Sequence, residues 1–144
     1  MKRLFAFALL IVVTLSTMTS FAFASEPDKT VIDLGDGFYM VEISSSYSLS
    51  RSGDITYGSK SANVYYNSTL IGIATLYASF DISSSTAKAT TSDITGTGYN
   101  GGIYTNGTSN CSRNTVSGTA YFNYNGFEKL VHLSISCSPD GTLY

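Results

Sequence analysis

The chain has 144 residues, with eight Lys and Arg against ten Asp and Glu, 13 Gly, 11 Tyr, two Cys, one His and no Trp. Its small charge is spread along the sequence without a basic patch, which excludes nucleic acid and anionic membrane surfaces as partners, since both need clustered Lys and Arg. A single histidine and the lack of Cys-x-x-Cys exclude a His/Cys zinc site and a redox dithiol.

The first residues read as an export leader. Met1-Lys2-Arg3 is a short basic start, Leu4 to Val13 is an apolar run, and Ala22-Phe23-Ala24 is a small-x-small cleavage site. This pattern predicts a signal peptide over residues 1–24, cut after Ala24. The mature chain, 25–144, is about 120 residues, the size of one domain. Losing Lys2 and Arg3 leaves six basic residues against ten acidic ones, so the formal charge moves from -2 to -4. No second apolar run reaches the ~20 residues of a membrane helix. The leader has no Cys for lipid attachment, and the C-terminus carries no readable anchor. The expected localisation is secreted, with no integral membrane segment in the mature chain.

Beyond the leader, Ser, Thr, Tyr, Gly and Asn dominate, and the periodicity is two rather than 3.6. Residues 25–30 read as a frayed tail. Phe38-Tyr39-Met40-Val41-Glu42-Ile43 begins a strand over Gly37 to Ser50. Ile55 to Gly58 is a short strand. Ala62 to Tyr66, a turn at Asn67-Ser68-Thr69, and Leu70 to Ile82 form a hairpin. A three-residue loop there sets Val64 opposite Gly72 and Ala62 opposite Ala74. Gly72 is placed to mark a bulge. Thr86 to Thr91 is another strand, and the glycine-rich stretch Asp93 to Asn110 reads as loop.

The last hairpin is the clearest. Val116, Gly118, Ala120 and Phe122 alternate with polar residues, Asn125-Gly126 follows, and Lys129, Val131, Leu133, Ile135 and Cys137 alternate after it. Asn-Gly favours a type I′ turn, which needs positive φ at both central residues. Closing at Tyr124 and Phe127 opposes Phe122 with Lys129, Ala120 with Val131, Gly118 with Leu133 and Val116 with Ile135. Three of these four pairs are apolar on both sides, and a one-residue slip destroys the match. Lys129 is expected to lay its stem on the core edge with its ammonium in water. Residues 140–144 read as a second tail. The predicted fold is an all-β antiparallel sandwich of about seven strands, with a small barrel as the alternative.

Cys111 and Cys137 are expected to form a disulfide, as exported thiols do by default. The closed loop of about 27 residues corresponds to roughly 3.5 kcal/mol of chain entropy. With Asn114 opposite Cys137, the bridge requires the chain near Cys111 to fold back or bulge.

Catalytic signals are sparse. His132 is expected to face outward opposite Thr119, and no Gly-x-Ser-x-Gly elbow accompanies it. Only a concave pocket joining His132 or two acids revives a hydrolase. Asp33, Asp36 and Glu42, near Gly35 and Gly37, lack the spacing of a calcium loop and read as turn formers. The residues predict no catalytic residue, cofactor or metal. Tyr47, Tyr57, Tyr65, Tyr77, Tyr99, Tyr104 and Tyr121 read as outward or loop positions, with Tyr99 and Tyr104 as one patch and Tyr121 beside Thr119 and Leu130 as another. Tyr with Ser, Asn and Gly is the composition of adaptable recognition surfaces. Asn67, Asn106 and Asn110 begin Asn-x-Ser/Thr triplets, which matter only where a glycosylation machinery exists.

The ending Leu133-Ser134-Ile135-Ser136-Cys137-Ser138-Pro139-Asp140-Gly141-Thr142-Leu143 and the segment Ala62 to Phe80 resemble small uncharacterised secreted β-rich proteins of Gram-positive bacteria. The resemblance implies a bacterial exported protein and brings no activity with it. The functional expectation is a secreted non-enzymatic module binding an extracellular or cell-surface protein or glycan, with Tyr99, Tyr104 and Tyr121 as its surface. The alternative is a secreted bacteriocin or toxin-like protein, against which the negative charge argues.

Overall fold

The computed structural model describes residues 29–43, 55–83 and 85–144. The leader and its cleavage point after Ala24 lie outside the described residues, as does Tyr47. Eight strands follow in order: β1 (Lys29–Gly35), β2 (Phe38–Ile43), β3 (Ile55–Tyr66), β4 (Thr69–Ile82), β5 (Ala87–Gly98), β6 (Ile103–Ser112), β7 (Thr115–Tyr124) and β8 (Phe127–Ser136). Each pairs antiparallel with its sequence neighbours, except that the ladder breaks between β5 and β6. The result is a five-stranded sheet, β1-β2-β3-β4-β5, facing a three-stranded sheet, β6-β7-β8. The expected all-β sandwich is present, with eight strands on an up-and-down path and no closed barrel among the described residues.

Three turns set the registers. Asp36 and Gly37 (φ 56° and 80°), Asn67 and Ser68 (43° and 69°), and Asn125 and Gly126 (52° and 83°) each supply two consecutive positive φ values. Such turns twist with the strands they join. The β7–β8 ladder has the register read from the sequence, with Phe122 opposite Lys129 and Val116 opposite Ile135. Between β3 and β4 the turn is Asn67-Ser68 rather than three residues, and a register shift after Val64 supplies the extra residue. A short turn plus a bulge displaces the chain as much as a longer turn, so Val64 still faces Gly72 and Ala62 faces Ala74.

Alternation then builds the core. Val64, Leu76 and Phe80 project from one sheet, and Val116, Phe122 and Val131 from the other, all fully buried. β7 packs over β5 and β4, and β8 over β3. Small residues let the sheets approach: a Cβ on Gly118 would lie 2.7 Å from Leu76 Cδ1 and 2.9 Å from Ile94 Cδ1.

Five expectations are corrected. Asp93 to Asn110 is not a loop but most of β5 and β6. Its glycines serve a corner: Gly96 lies under the Tyr104 ring, and Gly98 meets the Gly102 backbone where one sheet turns into the other. Only Tyr99 to Gly102 forms the turn, with Asn100 and Gly101 at positive φ and Tyr99 N–H donating to Ile71 O at 2.9 Å. Lys29 and Thr30 begin an edge strand rather than ending a tail.

The C-terminal residues are likewise no frayed tail. Leu143 bridges to Cys137, and Ser136 and Tyr144 exchange backbone hydrogen bonds at 2.9 and 3.0 Å. Asp140 holds this return: its carboxylate accepts from Thr142 N–H at 2.9 Å and from the Ser138 hydroxyl.

The disulfide is absent, and both thiols are free. Cys111 on β6 opposes Val116 on β7, and Val116 opposes Ile135 on β8, so β7 stands between the cysteines. Two strand spacings separate the backbones of β6 and β8 by about 9.5 Å. A disulfide spans roughly 4.4–6.8 Å between Cα atoms. The tight Arg113-Asn114 turn provides no fold-back, Cys111 is exposed and Cys137 is fully buried.

Lys129 does not keep its ammonium in water. Nζ donates to Leu34 O at 3.2 Å and to Asp36 Oδ2 at 2.8 Å, and lies 5.0 Å from the centre of the Phe38 ring. One side chain thus ties β8 to the β1–β2 turn across the open side of the sandwich.

Candidate functional site

With the apolar rows turned inward, hydroxyls and amides cover the outer face of β6-β7-β8. Thr108 opposes Thr119, which opposes His132, and Asn110 opposes Ser117, which opposes Ser134. These side chains line an open depression of about 320 Å³, together with Glu42 from β2. The small side chains leave the sheet backbone as a floor, and their hydroxyls both donate and accept. Tyr121 and Leu130 form a cross-strand pair two residues along the same face, so they flank the depression.

His132 stands where the sequence placed it, exposed and opposite Thr119, with Nδ1 2.8 Å from Thr119 Oγ1. That pair and Glu42 do share one concavity, which is the geometry a hydrolase reading required. A triad needs an acid orienting the imidazole through its other nitrogen. Glu42 instead binds Lys60 Nζ at 3.0 Å, and the Thr119 contact is the imidazole's one hydrogen bond among the described residues.

The acids near the first turn have structural partners. Asp33 Oδ1 accepts from Gly35 N–H at 2.8 Å, an Asx-type turn, and Asp36 is bound by Lys129. The Lys129 hydrogen bond and charge hold the Asp36 carboxyl below the ordinary carboxylate range.

The three tyrosines chosen from the sequence separate. Tyr99 is exposed in the β5–β6 turn. Tyr104 turns inward, packing against Phe122 with ring centroids 5.7 Å apart and planes tilted by 58°, and donating from its hydroxyl to Ile94 O at 3.2 Å. Burial, and then the Asp93 charge, push its phenol upward. Tyr99 and Tyr104 therefore do not form a common surface patch, whereas Tyr121 does lie beside Leu130.

The outer face of the five-stranded sheet carries what the sequence reading missed. Tyr39 and Tyr65 stack with centroids 5.0 Å apart and planes 8° from parallel. Farther along, Tyr57 and Tyr77, 42% and 49% exposed, flank a groove of about 210 Å³ with Ser59, Thr91, Ser92 and Asp93. Tyr57 opposes Ser79 and Tyr77 opposes Ser59, so the two rings are diagonal neighbours. Continuing the Val64–Gly72 register down β3 would have found this pair; reading Ile55 to Gly58 as a separate strand concealed it.

No protein-family model, curated protein or solved structure matches the chain.

Proposed function

We propose that the mature chain is a secreted, non-enzymatic binding module whose ligand is a glycan of the cell surface or its surroundings. The observation that carries this reading is the depression on β6-β7-β8. It offers rows of hydroxyl, amide and imidazole groups over an open floor, flanked by the Tyr121–Leu130 pair. A polyhydroxylated ligand matches such rows of paired donors and acceptors. Tyr121 adds apolar area at little entropic cost. The openness of the site and the engagement of Glu42 by Lys60 favour holding a ligand over cleaving one.

The test applies residues 25–144 to a glycan array and to envelope fractions of the producing organism. The expected result is retention on a subset of glycans, weakened at least tenfold in Y121A and H132A, with Tm within about 2 °C of the parent. Equal retention by both variants, or no retained glycan, overturns the reading. Ester or glycoside hydrolysis abolished by H132A would establish an enzyme instead.

A further inference from the structure

We propose that the groove between Tyr57 and Tyr77 is a second site, which takes a primary alkylammonium group: the side chain of a lysine presented by a partner polypeptide. It lies on the outer face of the five-stranded sheet, away from the glycan depression, and does not rest on that reading.

Spacing gives the first argument. Diagonal cross-strand neighbours stand about 7–8 Å apart. Half of that is about the 3.5–4.0 Å contact distance of carbon atoms. A single aliphatic stem therefore fits between the rings and touches both. The ring faces are negative, so they attract a cation placed between them.

Charge gives the second. Asp93 lies directly opposite Tyr77 and lines the groove. It has no ion pair among the described residues; the two cations that do pair, Lys60 and Lys129, serve Glu42 and Asp36. Lys88 stands opposite Asp81, farther along the β4–β5 ladder. Among the described residues the groove thus presents a carboxylate without an ion pair at the end of an aromatic slot, on a chain that is negative overall.

The floor gives the third. Between the rings it is Gly58 and Ala78, and the Thr91 hydroxyl at its edge is engaged by Ser79, 2.6 Å from Ser79 Oγ. An alkyl stem needs no hydrogen-bond partner on such a floor, and its ammonium needs only Asp93.

The experiment titrates the mature protein with Nα-acetyl-lysine N-methylamide and follows the Tyr57 and Tyr77 ring resonances by NMR. The controls are the norleucine analogue, which lacks the charge, n-butylammonium, which lacks the peptide, and glucose. Saturable shifts in the millimolar range are expected with both amines. The midpoint should rise at least fivefold for norleucine and about tenfold in D93N, while Y57A and Y77A lose the response. Tighter binding of the lysine amide than of n-butylammonium supports a polypeptide source; equal midpoints refute that part. H132A and Y121A should leave the titration unchanged, which distinguishes this site from the glycan depression. Equal shifts with norleucine, displacement by glucose, or no response in the parent overturns the proposal.

Discussion

Gly72 and Phe122 provide a stringent test of how the two sheets meet. A Cβ on Gly72 would fall into the Phe122 ring, 2.6 Å from Cδ1 and 3.1 Å from Cζ. The Phe122 side chain is 1% exposed and its neighbours enclose it, so the ring cannot move aside freely. Phe122→Ala should cost about 4 kcal/mol, as buried aromatic truncations do. Gly72→Ala alone gains about 0.5–1 kcal/mol of strand propensity and loses about 1–3 to overpacking, a net cost near 1 kcal/mol. In the Phe122→Ala background the obstructing ring is gone. There the added methyl keeps its propensity gain and fills part of the cavity, so it should stabilise by about 0.5–1 kcal/mol. The coupling between the two positions is then about 2 kcal/mol, well above the scatter for independent sites. Urea unfolding of the four proteins measures it. With a slope of 1–3 kcal/mol per M, 2 kcal/mol moves a midpoint by about 1 M. Additivity within about 0.5 kcal/mol would refute the packing of β4 against β7.

The cysteines give a second prediction: in natively folded protein iodoacetamide labels Cys111 quickly and Cys137 only on unfolding, and C111S leaves Tm within about 1 °C. A disulfide between them in exported protein, released by dithiothreitol, would contradict the strand order. Leu143→Ala should cost about 2 kcal/mol in thermal or urea unfolding, the low end for buried Leu, because Leu143 covers Gly58 and is 9% exposed; no effect would restore the frayed tail. Hydrogen bonds from Ser138 and Thr142 lower the Asp140 carboxyl to about 2 from an unfolded value near 3.8. The folded state therefore binds fewer protons, and this contribution is complete above pH 4 and lost as pH falls toward 2. The protection factor of the Tyr144 amide, its unprotected exchange rate at each pH divided by the measured one, should fall across that window in the parent and much less in D140N, where protection is already reduced at neutral pH.

The sandwich was legible where apolar alternation and a turn signal agreed. The β7–β8 register follows from Asn125-Gly126 and the rows on either side, because a slip would expose every buried side chain. His132 beside Thr119 follows from the same register, as does Tyr121 beside Leu130. The Asp93 to Asn110 stretch reads as loop because glycine in a sequence marks a bend, whereas Gly96 on β5 and Gly107 on β6 leave room for the Tyr104 side chain. The hairpin pattern does not show that Cys111 lies in a strand of its own, β6, which pairs with the edge of β7 opposite β8 and so keeps the cysteines apart.

Local chemistry in the sequence, namely period-two alternation and positive-φ turns, determined which residues form strands and which face looks inward. Tertiary structure alone decided where one sheet ends and the next begins, since that break depends on how closely backbones and rings can approach at a corner. It also decided which outward residues become neighbours. Lys129 reaches Asp36 and Glu42 joins the His132 depression only once strands far apart in the chain are laid side by side.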